Sequence, residues 1–337
     1  MIRLFHCFLF VFAAASFVPA SFAQGTMEAQ PRDEKLRVVA TLPDLADLAR
    51  AIGGERIEVE TLARPGQNLH AVRVKPSHLV ALSKADLFLQ VGLSLEHAWV
   101  PGLIQTARNR EVLPGTDGFV SAGEGFTMIE VPVTLDRGQA VDVHPLGNPH
   151  VNLSMNGGLH MAERVRDGLI RVDPEGETVY RAGFETWKRR QDEARLRWSK
   201  IAEAIAAQHR EACLYHREFD YLLGELGLPI AAFLEPRPGL PPTPSHLADV
   251  IETVKTDRIP VVLTAPWSNN KNCAHVARAT GASVLELPVM VGGGEGQMTW
   301  IDMMDRSIRL IAEAYGVDVE AALAEPVGAD KQRASRP

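Results

Sequence analysis

The feature that most constrains this chain is a strand–helix alternation that runs through it twice. In the first series, LRVVATL (36–42) and RIEVETLA (56–63) are β-branched runs separated by the amphipathic LADLARAIGG (45–54). PSHLVALSKA (76–85) reads as a helix, DLFLQVG (86–92) as a strand, and the stretch from Leu95 to about Arg108 as a helix. The second series begins with strand EACLYH (211–216) and helix EFDYLLGELG (218–227). Strand PIAAFLE (229–235), helix SHLADVIETVK (245–255), strand IPVVLTA (259–265), helix NCAHVARATG (272–281) and strand SVLELP (283–288) follow, then a helix from about Thr299 to Tyr315. Such alternation favours parallel sheets, because consecutive parallel strands need a crossover and a helix supplies it. A length of 337 residues suffices for two such units, each expected to bury its own core.

Between the two series, from Asp173-Pro174 to about His209, the only turn signals are Gly176 and Gly183. Pro174 suits the first turn of a helix, and Glu175 and Glu177 sit where the macrodipole favours acids. One helix of about 34 residues would extend about 50 Å and restrict hinge motion between the lobes. A break near Gly183 is the alternative. Residues 109–148 are rich in Gly, Pro and Asp and read as short strands and loops ending in HPLGNPH, while GADKQRASRP after Val327 has a disordered composition. The fold class expected is therefore α/β, with two lobes, each a parallel-sheet sandwich with flanking helices, joined by one long helix. The boundaries read as a leader over 1–23, a first lobe over 24–172, the linking helix over 173–209, a second lobe over 210–318 and a tail over 319–337.

MIRLFHCFLFVFAAASFVPASFA (1–23) has one early charge, an apolar run from Phe8 to Val18, and small residues around Ser21-Phe22-Ala23. That pattern predicts an export signal with the mature chain starting at Gln24. The run is too short to span a bilayer and Pro19 follows it. Cys7 lies at the start of the apolar stretch rather than at the cleavage point, so a lipid-anchored cysteine is not supported. No later stretch approaches about 18 apolar residues, and a soluble mature product is expected. Its two cysteines, Cys213 and Cys273, are either a disulfide of an oxidising compartment or two buried thiols. The 42 acidic residues outnumber 35 basic ones, and with no basic patch standing out, nucleic acid is excluded as an expected partner.

Histidine carries the chemistry. His78, His160, His209, His246 and His275 lie in helix-like runs and read as capping or surface residues. His70, His150 and His216 differ: the first follows strand RIEVETLA, the second closes the loop HPLGNPH before a helix, and the third ends strand EACLYH. Parallel sheets place ligands in the crevice outside the carboxyl ends of their strands, so three rings from two lobes are positioned to converge there. Three neutral imidazoles suit Zn²⁺ better than harder ions that prefer oxygen.

GQNLHAVRVKPSHLVALSKADLFLQVGLSLEHAW (66–99) closely resembles the first metal-ligand segment of the TroA-like, cluster A-I zinc/manganese solute-binding proteins of ABC transporters. GNPHVNL (147–153) resembles the second ligand segment and LYHREFDYLLGELGL (214–228) the third, while LEPRPGLPPTPSHL and TGASVLELPVMVGG resemble second-lobe loops of one branch. The likeness runs in order through essentially the whole mature chain. It implies two α/β lobes that clamp one divalent metal ion in the periplasm and deliver it to a membrane permease, without catalysis. It also implies that His70, His150 and His216 are ligands. Manganese binders of the family tend to use Glu at the third position, so His216 tilts the expectation to Zn²⁺ over Mn²⁺. Zinc binders often carry a longer His-rich loop before the second ligand; here that loop offers only His144, an accessory or alternative ligand. Many members have an Asp where this chain has Leu287-Pro288, and Glu235, ending strand PIAAFLE, is the substitute fourth donor unless water fills the position. Glu286 and Asp305 read as acids turned away from the crevice or capping a helix.

A monomer is expected, with the permease as partner and a periplasmic metallochaperone as a candidate second one. From an imidazole pKa near 6.5, metal release below about pH 6 is expected. Two rival readings use the same plan: a secreted zinc hydrolase with Glu235 as base, and a binder of a metal chelate or small organic ligand, against which the 6% aromatic content argues. GGGEG (292–296) lacks the Lys-Ser/Thr of a phosphate cradle and reads as a loop near the lobe interface, and no G-x-S-x-G elbow is present. The five tryptophans, Trp99, Trp187, Trp198, Trp267 and Trp300, read as packing residues.

Overall fold

Four strands, β1 (Leu36–Ala40), β2 (Ile57–Thr61), β3 (Leu87–Gln90) and β4 (Phe119–Ser121), form a first sheet in the order β2-β1-β3-β4. A second sheet, of β5 (Ala212–Leu214), β6 (Ile230–Phe233), β7 (Val261–Thr264) and β8 (Ser283–Glu286), repeats that arrangement as β6-β5-β7-β8. Every pairing in both sheets is parallel. The computed structural model describes residues 34–131, 144–268, 270–294 and 298–324. The expected leader over 1–23 and the stretch after Val327 lie outside the described residues. Among those described, no helix is long and apolar enough to cross a membrane.

Helices α1 (Pro43–Gly53), α2 (Pro76–Ser83), α3 (Val100–Ala107) and α4 (Met155–Val172) flank the first sheet. Their starts are written locally: Pro43 and Pro76 occupy first turns, and the Ser154 hydroxyl accepts from the Gly157 N–H. Turns fill residues 93–99, so α3 starts five residues later than the periodicity suggested. Pro101 is the cause, since its ring is tolerated only in the first turn of a helix.

The long helix is α5 (Glu177–Ala206), 30 residues, entered through a 3₁₀ turn at Pro174–Gly176. Gly183 does not break it. A Cβ there would stand 2.3 Å from the Ile52 carbonyl oxygen, so the missing side chain lets α5 lie directly on α1. A buried ion pair fixes its start: Asp173 accepts from Arg56 Nη2 at 3.0 Å and from the Tyr180 hydroxyl at 2.5 Å.

Around the second sheet lie α6 (Asp220–Glu225), α7 (Pro244–Thr256), α8 (Asn270–Thr280), α9 (Trp300–Ala314) and α10 (Val319–Ala324), the last falling within the stretch expected to be tail. The expectation of one core per lobe is not met. α5 packs against α1, α4, α9 and α10, and its buried stripe from Tyr180 to Ile205 belongs to one apolar cluster that also includes β1, β3, β5 and β7 residues. Trp300 of α9 is the wedge at this junction, its ring centroid 5.9 Å from that of Trp187 and 6.3 Å from that of Trp198. It sits where a Cβ on Gly158 would be 2.1 Å from its ring. A smaller second cluster, including Cys213, Leu234, Val250 and Cys273, fills the other face of the second sheet. Both cysteines there are free thiols, and burial pushes Cys213 to about 12 and Cys273 to about 11.

Candidate metal centre

The carboxyl ends of the two sheets carry the site. After β2, the loop closes in a 3₁₀ turn at Leu69–Ala71, where the Asn68 side chain accepts from the His70 N–H at 2.9 Å. Trp99 Nε1 donates to the Leu69 carbonyl at 2.9 Å and pins the same turn from below α3. The loop after β4 reaches His150 through Asn148, whose Oδ1 accepts from the His150 N–H at 3.1 Å. Asn148 also donates to the Arg217 carbonyl at 2.8 Å, and its own carbonyl accepts from the Tyr221 hydroxyl at 2.8 Å. His150 is thus held by residues of the opposite lobe. His216 stands two residues past the end of β5 and caps the turn Arg217–Phe219.

Nε2 of His70 and Nε2 of His150 lie 3.2 Å apart. A tetrahedral ion with nitrogen ligands at 2.0–2.1 Å would set two donors about 3.3 Å apart. One nitrogen from each of His70, His150 and His216 lies within 4.8 Å of the other two, and all three rings are buried. Burial drives the His70 pKa down to about 3, with the neighbouring His216 and His97 charges acting in the same direction. His150 is held well below its ordinary value, first by burial and then by His70, His216 and His144. Both rings therefore present neutral lone pairs, the form a metal requires.

Glu235 Oε2 is 2.7 Å from His216 Nδ1 and also accepts from the Gly239 N–H at 3.2 Å. Register explains the contact: Leu214 of β5 pairs with Phe233 of β6, and each partner lies two residues further along its strand. A carboxylate on one imidazole nitrogen fixes the tautomer and leaves the other for a metal. The His144 ring centroid is 4.9 Å from that of His70, outside the group of three. Glu286 accepts from Asn270 at 3.3 Å, and Asp305 accepts from Trp198 Nε1 at 3.1 Å, both away from the cluster. Among the helical histidines, the His78 ring accepts from the Lys75 N–H, and the His160 and His246 rings hydrogen-bond the Glu124 and Phe233 carbonyls. Gly292, in the glycine-rich loop, packs where a Cβ would meet Pro65 at 2.9 Å, at the seam of the lobes.

Three residues of the site escaped the sequence reading. Glu218 is 1% exposed with neither carboxylate oxygen hydrogen-bonded, and burial raises its pKa against the opposing pull of His216. Asp220 is raised to about 7, chiefly by burial, with Arg217 opposing. Both stand in the quoted segment LYHREFD, where only their sidedness was illegible. Trp267 faces the His216 ring at 5.3 Å between centroids, and nothing in its sequence context marks it.

Comparison with known proteins places the fold and the family. The iron-binding protein YfeA of Yersinia pestis is 24% identical over 321 residues, 91% of this chain and 97% of its own. The manganese-binding lipoprotein MntA of Halalkalibacterium halodurans is 24% identical over 305 residues, 90% of this chain and 96% of its own. Among solved structures, that of ZnuA superposes with a TM-score of 0.68 at 19% identity, covering 84% of this chain and 100% of the other. The Mn-bound periplasmic metal binding protein from candidatus liberibacter asiaticus gives 0.67 at 20% identity, with coverage of 84% and 100%. These superpositions establish the fold. Residues 38–314 match the family described as ZnuA, zinc-uptake complex component A, periplasmic. Because that match runs from within β1 to the last residue of α9, the chain belongs to the ZnuA/TroA family of periplasmic metal-binding proteins.

Proposed function

We propose that this protein captures Zn²⁺ in the periplasm with His70, His150 and His216 and passes it to the permease of an ABC importer. The observation that carries the reading is the convergence of three buried imidazole nitrogens, within 4.8 Å of one another, from loops of both lobes. Relatives are named for iron and manganese, so the family supports a divalent transition metal and the donor set supports zinc within it. Nitrogen-only coordination favours zinc over manganese, which prefers carboxylate and water. Water or His144 supplies the fourth donor. Glu235 is suited to orienting His216, because its Oε2 is engaged by Nδ1 and by the Gly239 N–H.

Capture is coordination without turnover, and one chain suffices for it as a monomer. Export through the residue 1–23 leader places the protein where the permease, and a metallochaperone if one loads it, can reach it. The test is elemental analysis of protein purified from the export compartment, repeated for His216→Ala. One equivalent of zinc, lost in the variant, is expected. Manganese or iron in the native protein overturns zinc, and full zinc in the variant removes His216 from the site.

A further inference from the structure

His150 and His216 come from opposite lobes, yet one short helix holds both. α6 follows His216 by way of the turn Arg217–Phe219, and its Tyr221 and Glu225, one helical turn apart, both reach into the first lobe. The Tyr221 hydroxyl donates to the Asn148 carbonyl at 2.8 Å and accepts from the Ile129 N–H at 3.3 Å. Half-buried Glu225 takes the start of α4. Its Oε2 accepts from the Met155 N–H at 2.6 Å, and its Oε1 from the Asn156 N–H at 3.0 Å, Asn156 Nδ2 at 2.9 Å and the Ser154 hydroxyl at 2.9 Å.

The stretch 148–156 is therefore gripped two residues before His150 and again four to six residues after it, by the helix that His216 leads into. The second grip suits its place. A helix N-terminus leaves N–H groups without intrahelical partners and carries a partial positive charge, which a carboxylate complements. In α4 the Ser154 hydroxyl serves the Gly157 N–H, and the Met155 and Asn156 N–H groups are served from the other lobe. Hydrogen bonds to a charged acceptor are roughly twice as strong as neutral ones. By contrast, Asn68 and Trp99, which pin the His70 turn, belong to its own lobe.

We propose that Glu225 is a positioning residue for metal capture, a cross-lobe clasp that fixes His150 against His216 before any ion arrives, so that binding does not have to draw the lobes together. This rests on the capture reading above and adds to it how the ligands stay assembled in the metal-free protein. The test uses spin labels on Lys84→Cys in the first lobe and Lys255→Cys in the second, both exposed positions, whereas the native thiols Cys213 and Cys273 are buried. Label separation is measured with and without Zn²⁺, and zinc release into excess chelator is timed, for this labelled parent, for Glu225→Ala and for Glu225→Gln. The parent is expected to keep one separation in both states. Glu225→Ala should widen the metal-free separation alone and release zinc roughly 2- to 30-fold faster, the range in which residues away from a ligand modulate its binding. Glu225→Gln, with one acceptor where the carboxylate has two, should fall between, and it carries the test should Glu225→Ala not fold. A parent whose separation changes on loading overturns the clasp. So do parent-like separation and release in the folded variant, whatever its melting temperature, since that pattern leaves Glu225 a helix cap only. A parent that binds no zinc overturns the capture reading, while the metal-free separations still decide the clasp.

Discussion

The first lobe brings His70 and His150 to the cluster as rings made neutral by burial, and among the described residues neither is hydrogen-bonded to a carboxylate. The second lobe brings one ring, His216, hydrogen-bonded to Glu235 and accompanied by the buried acids Glu218 and Asp220. A divalent ion moved out of water needs compensating negative charge as well as lone pairs. The first lobe supplies geometry, and the second supplies charge. The lobes are thus complementary halves of one site, and neither half alone satisfies a buried cation.

The largest test of that contrast concerns the first lobe's rings. Lowering a pKa from 6.5 to about 3 weakens proton binding roughly a thousandfold or more. The sign follows from linkage: with the folded pKa below the unfolded value, the His70 ring contributes its full stability above about pH 6.5 and loses it as pH falls toward 3, and the His150 ring follows the same sign. In the folded metal-free protein, NMR should show the His70 ring neutral from pH 7.5 down to 5, with His150 displaced in the same direction. Protonation of either ring at pH 6 would erase the difference between the lobes.

Glu235→Gln probes the other half. It keeps the shape and a hydrogen-bonding group beside His216 Nδ1 but removes the charge, and zinc affinity should fall about 10- to 100-fold by competition with a chelator. Unchanged affinity would deny the second lobe its electrostatic role. Gly183→Ala asks whether the lobes are one folding unit: a methyl aimed at the Ile52 carbonyl should cost about 1–3 kcal/mol. Because the core is shared, the denaturation curve should shift as a single transition, and a biphasic curve would separate the lobes. Smallest is Arg181→Ala, which breaks an exposed pair with Glu177 on α5 and should change stability by less than about 0.5 kcal/mol.

The strands and helices were legible because their signals are local: β-branched runs, prolines in first turns, glycines after helices. His70, His150 and His216 were legible because the first and third follow strands, the second closes a loop before a helix, and each sits in a familiar segment. What stayed hidden depends on tertiary direction. The merging of the two cores follows from which way the α5 stripe faces, and that is set by Gly183 meeting Ile52 and Gly158 meeting Trp300. The pairing of His216 with Glu235 follows from the β5–β6 register, which no linear spacing reveals. The packing role expected for the tryptophans holds for all five, and Trp99 and Trp267 in addition adjoin the site, which nothing in their sequence context marks.

All three rings lie past the last residue of a strand, in segments whose replacement leaves both sheets untouched. Cargo preference is then a property of a few loop residues mounted on an indifferent scaffold. On the proposed ligand set, retargeting this protein to another ion is a problem in loop grafting rather than in refolding.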